Sequence, residues 1–250
     1  MIQVTLVPII PHMQNYAYIL EADNGEVAVV DPGEAGPIIE ALEQRNLKPD
    51  VILITHHHWD HMDGVPDMLT WHLCPLIGSD RNKSREDSPA KTQVNVPFER
   101  VLSEGDEFVF GGEHVQIFDT PGHTPEHICF YFKDSGFVLV GDILFAMGCG
   151  RILDGTADQL FGSLQKLSTL PDETKIYCGH EYTLSNAEFC VGMDPDNNAL
   201  KDRLELAKRL RAENTPTVPT TLKQEKETNV FLRAHSVKEF ARLRQLKNRS

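Results

Sequence analysis

Seven residues constrain this chain more than any others: Thr55-His56-His57-His58-Trp59-Asp60-His61. They follow Val51-Ile52-Leu53-Ile54, an apolar, β-branched run that reads as a buried strand. The strand end therefore delivers several imidazoles and one carboxylate to a single point. That donor set suits zinc, iron or manganese, and metal catalysis needs such a site left partly open. A solvated histidine loop or a purification tag is the bland alternative. Tags are terminal and lack the Asp60-His61 ending, so the run reads as part of a metal site.

Spacing adds to composition. In extended backbone alternate side chains share a face, so His56, His58 and Asp60 point one way while His57 and Trp59 point the other. His61 joins them only if the chain turns there, and Gly64-Val65-Pro66 just beyond suggests a tight turn into a helix. His57 is the bystander, packed or supporting. Neighbours 60 and 61 project differently, so two metals sharing the cluster fit better than one, provided other ligands arrive from elsewhere.

At 250 residues the chain can bury a large core. The N-terminal Met1–Val7 has neither a basic region nor a cleavage site, and no apolar run approaches a bilayer span. Five cysteines, with no C-x-x-C pair, match reduced thiols in a cytosolic protein, so a cytoplasmic location is expected. The net charge of −13 is uneven: residues 201–250 carry thirteen Lys and Arg against six Asp and Glu, which leaves −20 on the first two hundred. An acidic body disfavours nucleic acid, whereas a basic tail could hold an anionic small molecule. Lys201, Arg203, Lys208, Arg209 and Arg211 fit more simply as the wet face of a helix. Neither a nucleic-acid nor a membrane partner is expected, and a monomer is expected over an oligomer.

The first fifty residues predict strands at Ile2–Pro8, Asn15–Glu21 and Glu26–Val30, a turn at Asp23-Asn24-Gly25, and a helix over Pro37–Asn46. A second series predicts a hairpin of Glu107–Phe110 and His114–Phe118 around Gly111-Gly112, then strands His127–Phe132 and Phe137–Val140. An amphipathic helix spans Thr156–Leu170, with Leu160, Leu164 and Leu167 on one stripe, before a last strand at Thr174–Cys178. From Leu184 the pattern is mostly helical, clearest at Asn197–Asn214 and Val237–Lys247. This predicts an α/β body of two packed sheets with helices outside, closed by a helical tail.

Three further strand ends carry candidate ligands: His123 in Thr120-Pro121-Gly122-His123-Thr124, Asp142 after Gly141, and His180 in Gly179-His180-Glu181-Tyr182. Each sits beside a glycine that lets backbone approach closely. A single strand-end histidine is usually structural; their joint occurrence after successive strands is not.

The set T-H-x-H-x-D-H, P-G-H-T, G-D and G-H-E-Y resembles the metallo-β-lactamase fold superfamily. Gly148-Cys149-Gly150-Arg151, Gly155-Thr156-Ala157-Asp158, Cys178–Thr183 with Asn186, Asn229–Arg233 and the basic end Arg244–Arg249 are similar to glyoxalase II, the hydroxyacylglutathione hydrolases. The resemblance implies an αββα sandwich over residues 1–180 and a helical, substrate-binding domain over 181–250. It implies two divalent metal ions, zinc first, with iron or manganese accepted: His56, His58 and His123 on one, Asp60, His61 and His180 on the other, Asp142 bridging. Arg151, Tyr182, Arg244 and Lys247 would contact glutathione, although Leu153 stands where an aromatic residue can occur. The implied reaction hydrolyses S-D-lactoylglutathione to glutathione and D-lactate, the second step of methylglyoxal detoxification. Water shared by two cations has its pKa lowered towards about 7, so no side-chain base is needed, and Asp60 would orient the resulting hydroxide. No G-x-S-x-G elbow or Cys-His pair suggests a covalent intermediate. Rival readings are a lactonase or nuclease on the same fold, a one-iron sulfur oxygenase that would not need Asp60 and His180, and a metal-binding protein without catalysis.

Overall fold

The computed structural model describes residues 1–80 and 87–250. Strands β1 (Ile2–Ile9), β2 (Asn15–Ala22), β3 (Val27–Val30), β4 (Val51–Ile54), β5 (Leu76–Ser79) and β6 (Arg100–Leu102) form one sheet in chain order. The first three run antiparallel and the rest parallel. Helices α1 (Ala35–Gln44), α2 (Trp59–Met62) and α3 (Val65–Trp71) fill its connections.

The second series comprises β7 (Glu107–Phe110), β8 (Glu113–Asp119), β9 (Ile128–Phe132), β10 (Phe137–Gly141), the small pair β11 (Leu144–Phe145) and β12 (Gly148–Cys149), α4 (Ala157–Ser168) and β13 (Lys175–Cys178). Then come α5 (Thr183–Met193), α6 (Asn198–Ala212), β14 (Thr220–Thr221), α7 (Leu222–Thr228) and α8 (Val237–Lys247). The second sheet runs β14-β13-β10-β9-β8-β7.

Two-residue alternation builds the layers. In β4, Val51 and Leu53 enter the cluster shared with the second sheet, while Ile52 and Ile54 join Ile38, Leu42, Val65 and Met68 of α1 and α3. In β2, Tyr16, Tyr18 and Leu20 face the second sheet, and Ala17 and Ile19 face the helices. Both strands are buried on both faces and so read as continuous apolar runs. On the far side α4 covers the second sheet with Leu160, Leu164 and Leu167, all fully buried. Its start is fixed by a capping box between Thr156 and Gln159. The result is a helix–sheet–sheet–helix sandwich of the α/β class with a helical C-terminal region.

Differences from the sequence reading are local. Helix α1 begins at Ala35, placing Pro37 in its first turn, where a missing N–H costs no helical hydrogen bond. Strands β5 and β6 were not expected; they are short and complete the parallel half of the first sheet. Most consequential, Thr220–Thr221 pairs with β13, so the tail supplies an edge strand of the second sheet. Leu200, Leu222, Phe231 and Phe240 share one apolar cluster with Leu160 and Phe130, and the core runs unbroken past residue 180. Lys201, Lys208 and Arg209 are exposed along α6, but Arg203 turns inward to the buried Glu225 and Arg211 is half-buried beside Glu181, so the wet-face expectation fails for these two. Among the described residues no helix is long and apolar enough to cross a membrane. All five cysteines are free thiols.

Candidate metal centre

β4 ends at Ile54, and extended backbone continues only as far as His58. His56 and His58 therefore lie on the same side, as alternation predicts. Asp60 does not follow by alternation: it lies in α2, whose single turn swings both Asp60 and His61 towards the two histidines. The turn is anchored from outside, by Trp59 N–H donating to the Ala90 carbonyl at 2.9 Å. His57 points away, its Nε2 2.9 Å from the Ser79 carbonyl and its ring against Phe98.

Two groups of donor atoms converge. His58 Nδ1 lies 3.2 Å from His56 Nε2 and 3.0 Å from His123 Nε2. Nitrogens at these distances share a common focus suited to a cation. In the second group His180 Nε2 is 3.4 Å from Asp60 Oδ2, and His61 Nε2 is 3.8 Å from the same oxygen. Asp142 spans the groups: Oδ2 is 3.4 Å from His123 Nε2 and 3.2 Å from His180 Nε2, while Oδ1 is 3.5 Å from His61 Nε2. All seven residues are buried. His61 Nε2 and Asp142 Oδ1 are buried without a hydrogen-bond partner, which a cation between them would answer. The His and Asp groups thus suit a binuclear metal site.

A supporting shell fixes each ring. His61 Nδ1 and Thr55 Oγ1 both donate to Asp31 Oδ2, at 3.0 and 2.7 Å, and Thr55 N–H donates to Oδ1 at 2.8 Å. Asp31 could form a third donor group with His56 and His61. Its oxygens are already engaged and His61 meets it through Nδ1, so it works as a buttress that leaves Nε2 free. His123 Nδ1 donates to the Arg151 carbonyl at 2.7 Å, and His180 Nδ1 to the Met13 carbonyl at 3.1 Å. Such outer partners set the tautomer and raise ligand basicity. His127 is a further support: its Nε2 accepts from Asp142 N–H at 3.1 Å and its Nδ1 meets Thr120 Oγ1 at 3.0 Å. Asn15 was missed; its Nδ2 donates to Asp60 Oδ2 at 3.0 Å and to the Asp60 carbonyl at 3.2 Å. Forty-five residues separate the two, and no local signal links them.

Electrostatics divides the centre. Burial, reinforced by neighbouring imidazoles, holds His56 well below the ordinary histidine value and brings His58 down to about 3. Burial likewise lowers His123. These three offer neutral lone pairs. For His61 and His180 burial acts in the same direction, but the Asp142 and Asp60 carboxylates outweigh it, raising them to about 9 and about 10. Both carboxylates are driven below their usual range against the opposing effect of burial. The second group thus demands positive charge, from protons or from a cation.

A cavity of about 530 Å³ opens from His58, Asp60, His123, Asp142 and His180. Arg151, Tyr182, Arg244 and Lys247 also line it, with the exposed Leu153 at the rim. Tyr182 stacks on His180 with ring centroids 4.6 Å apart. Lys247 Nζ donates to Ser185 Oγ at 2.6 Å and to its carbonyl at 2.9 Å. Arg244 is 5 % exposed and already donates to the Cys149 carbonyl at 2.8 Å and Asn248 Oδ1 at 3.1 Å.

A sandwich of this layering with a His/Asp centre at its strand ends defines the metallo-β-lactamase superfamily, whose family description matches residues 10–180. The description "Hydroxyacylglutathione hydrolase C-terminus" matches residues 181–250. The hydroxyacylglutathione hydrolase of Pelagibacter ubique (strain HTCC1062) is 41 % identical over 237 residues, covering 94 % of this chain and 95 % of that protein. The chain belongs to the hydroxyacylglutathione hydrolase family. Among solved structures, the BLEG-1 B3 metallo-β-lactamase superposes with a TM-score of 0.70 at 24 % identity, covering 93 % of this chain and all of that one, a likeness of fold. TTHA1623, crystallised in a di-iron-bound form, gives 0.65 at 26 % identity over 91 % and 99 % of the two chains.

Proposed function

We propose that this protein hydrolyses the thioester of an S-2-hydroxyacylglutathione, S-D-lactoylglutathione, releasing glutathione and D-lactate in the second step of methylglyoxal detoxification. One observation carries the reading: a single cavity is lined both by the buried His/Asp centre and by Arg151, Arg244 and Lys247. Glutathione has carboxylates for the cationic residues and a sulfur ester for the centre. His56, His58 and His123 would hold one metal, Asp60, His61 and His180 the second, and Asp142 would bridge. Zinc is the ion we propose; iron and manganese take the same nitrogen and oxygen donors, and the di-iron neighbour supports a pair.

Two such cations would lower the pKa of water and polarise the thioester carbonyl. The chain's own residues do the rest. The Asp31, Arg151 and Met13 acceptors keep three imidazoles in the tautomer whose free nitrogen faces the centre. Asp60, held by Asn15, would orient the attacking water. Lys247 and Arg151 would bind substrate carboxylates, and Tyr182 would pack beside the peptide. A thiolate leaves readily, so no general acid is demanded. Burial pushes the Cys149 thiol in the cavity wall up, which argues against a nucleophilic role for it. In this reading residues 1–180 form the catalytic domain and 181–250 the helical substrate-binding domain, to which Arg151 adds, and the protein works as a cytoplasmic monomer.

The test is turnover of S-D-lactoylglutathione by metal-reconstituted protein, with metal counted on the same sample. Thioesterase activity that requires two equivalents supports the reading. Two bound metals without turnover would sink it.

A further inference from the structure

Between Asp142 and Arg151 the chain makes the β11–β12 hairpin, turning at Ala146-Met147 with Met147 in the left-handed region at φ 54°. Two strands of two residues cannot hold themselves together. Six backbone groups of this hairpin are instead held by side chains from beyond residue 180. Asn229 Nδ2 donates to the Phe145 carbonyl at 3.3 Å and the Gly148 carbonyl at 2.9 Å. Asn186 Nδ2 donates to the Ala146 carbonyl at 3.3 Å, and Cys190 Sγ to the Met147 carbonyl at 3.0 Å. Met147 N–H donates to Glu225 Oε2 at 2.8 Å, and Arg244 reaches the Cys149 carbonyl.

The holders are themselves fixed. Asn229 and Glu225 are fully buried and bonded to each other at 3.0 Å. Asn229 Oδ1 accepts from Phe231 N–H at 3.1 Å, which turns its amide donors towards the hairpin. Glu225 Oε1 accepts from Arg203 at 2.8 Å and Thr220 Oγ1 at 2.7 Å.

What the hairpin carries is the site. Phe145 packs 5.8 Å from the His180 ring and 5.5 Å from Tyr182. Arg151, just past its end, supplies the carbonyl that orients His123. A Cβ on Gly150 would stand 2.0 Å from the Asp142 carbonyl and 3.1 Å from His123 Nδ1, so little displacement is tolerated.

We propose that Asn229 and Glu225 are positioning residues for the reaction: by clamping the Leu144–Cys149 hairpin they set His123, Phe145 and Arg151. The inference rests on the thioesterase reading above and adds that the C-terminal segment assembles the metal side of the site as well as binding substrate. In Asn229→Ala, measured well below its melting temperature and per metal-loaded protein, kcat should fall 10- to 100-fold, as a shift of about 1 Å can cost. KM should rise by a smaller factor than kcat falls, because Arg151 moves with the hairpin while Lys247 and Tyr182 lie off it. A lower melting temperature with kcat and KM within about twofold of wild type would reduce Asn229 to a stabilising role and overturn the proposal.

A second variant keeps the test open if Asn229→Ala does not fold. A Cβ on Gly148 would stand 2.2 Å from Nδ2 of Asn186, which holds the Ala146 carbonyl. Gly148→Ala should therefore displace the hairpin and lower kcat about tenfold or more; kcat within about twofold of wild type counts against the clamp. Visible absorption of the cobalt(II)-loaded protein reads the His123 environment without turnover. Shifted bands in Asn229→Ala support the proposal and an unchanged spectrum refutes it. A wild type without thioesterase activity would remove the functional reading alone, leaving the spectrum to decide the positioning role.

Discussion

Asp31→Asn is the sharpest probe of how the centre is built, because it changes one atom and leaves volume intact. Asp31 is 4 % exposed and has φ 50°, a conformation that Asn tolerates as well as Asp. Its Oδ1 accepts from Thr55 N–H, and its Oδ2 from Thr55 Oγ1 and His61 Nδ1. Asparagine can keep its oxygen on Thr55 N–H, which places NH2 opposite His61 Nδ1. That nitrogen must then accept, so the ring proton moves to Nε2, the atom facing Asp142 and Asp60. The lone pair offered to the second metal position is lost.

A hydrogen bond to a charged group contributes about 1.5–3 kcal/mol. Losing it, or reversing the tautomer at equal cost, weakens the second metal by roughly 10- to 100-fold, the range that outer-shell changes span. Competition with a chromophoric chelator resolves the two equivalents. The first should weaken less, since of His56, His58 and His123 only His56 is linked to Asp31, indirectly through Thr55 Oγ1 at 3.0 Å from its Nδ1. Thioesterase activity should track occupancy of the second position. If both equivalents bind Asp31→Asn within twofold of the unaltered protein, the buttress argument fails.

Other substitutions follow from the same geometry. A Cβ on Gly179 would lie 2.5 Å from Asp142 Oδ1 and 2.6 Å from His61 Cε1, so Gly179→Ala should cut kcat/KM at least about 100-fold and lower metal content; full metal occupancy by elemental analysis would contradict this. Lys247→Ala, in the cavity lining, should raise KM for the glutathione thioester more than it lowers kcat, and an unchanged KM would remove it from the substrate site. Leu42→Ala, in the fully buried face of α1, should cost about 2–5 kcal/mol in denaturant melts without altering KM. Chelation should lower the melting temperature, and free metal at about 100 times its Kd should restore about 2.7 kcal/mol.

How much of this was legible depends on where each feature finds its partners. β4 and its histidines were legible because four apolar residues and a two-residue alternation carry the information locally. His123, Asp142 and His180 were legible as strand-end residues beside glycines. Asp60 was placed by the wrong geometry: alternation extends it, whereas α2 turns it, and that turn has no capping side chain of its own. Its anchor, Ala90, lies some thirty residues away. The same holds for β14, two residues that are a strand only because β13 accepts them.

The β11–β12 hairpin is the extreme case. Leu144–Cys149 contains no turn signal that forces Ala146-Met147 to reverse, and Met147 takes a backbone conformation its side chain disfavours. Nearly all its stabilising partners come from 40 to 95 positions downstream. Residues that look like an ordinary helical tail in sequence, Asn229 and Glu225 above all, therefore carry the conformation of a segment that starts two residues after Asp142. The Asn229–Arg233 stretch first stood out only by resemblance. Its physical content is this clamp, and a C-terminal truncation that spares every metal donor should still disturb His123, whose Nδ1 acceptor, the Arg151 carbonyl, lies just past the hairpin; unchanged cobalt(II) absorption in the truncated protein would refute this.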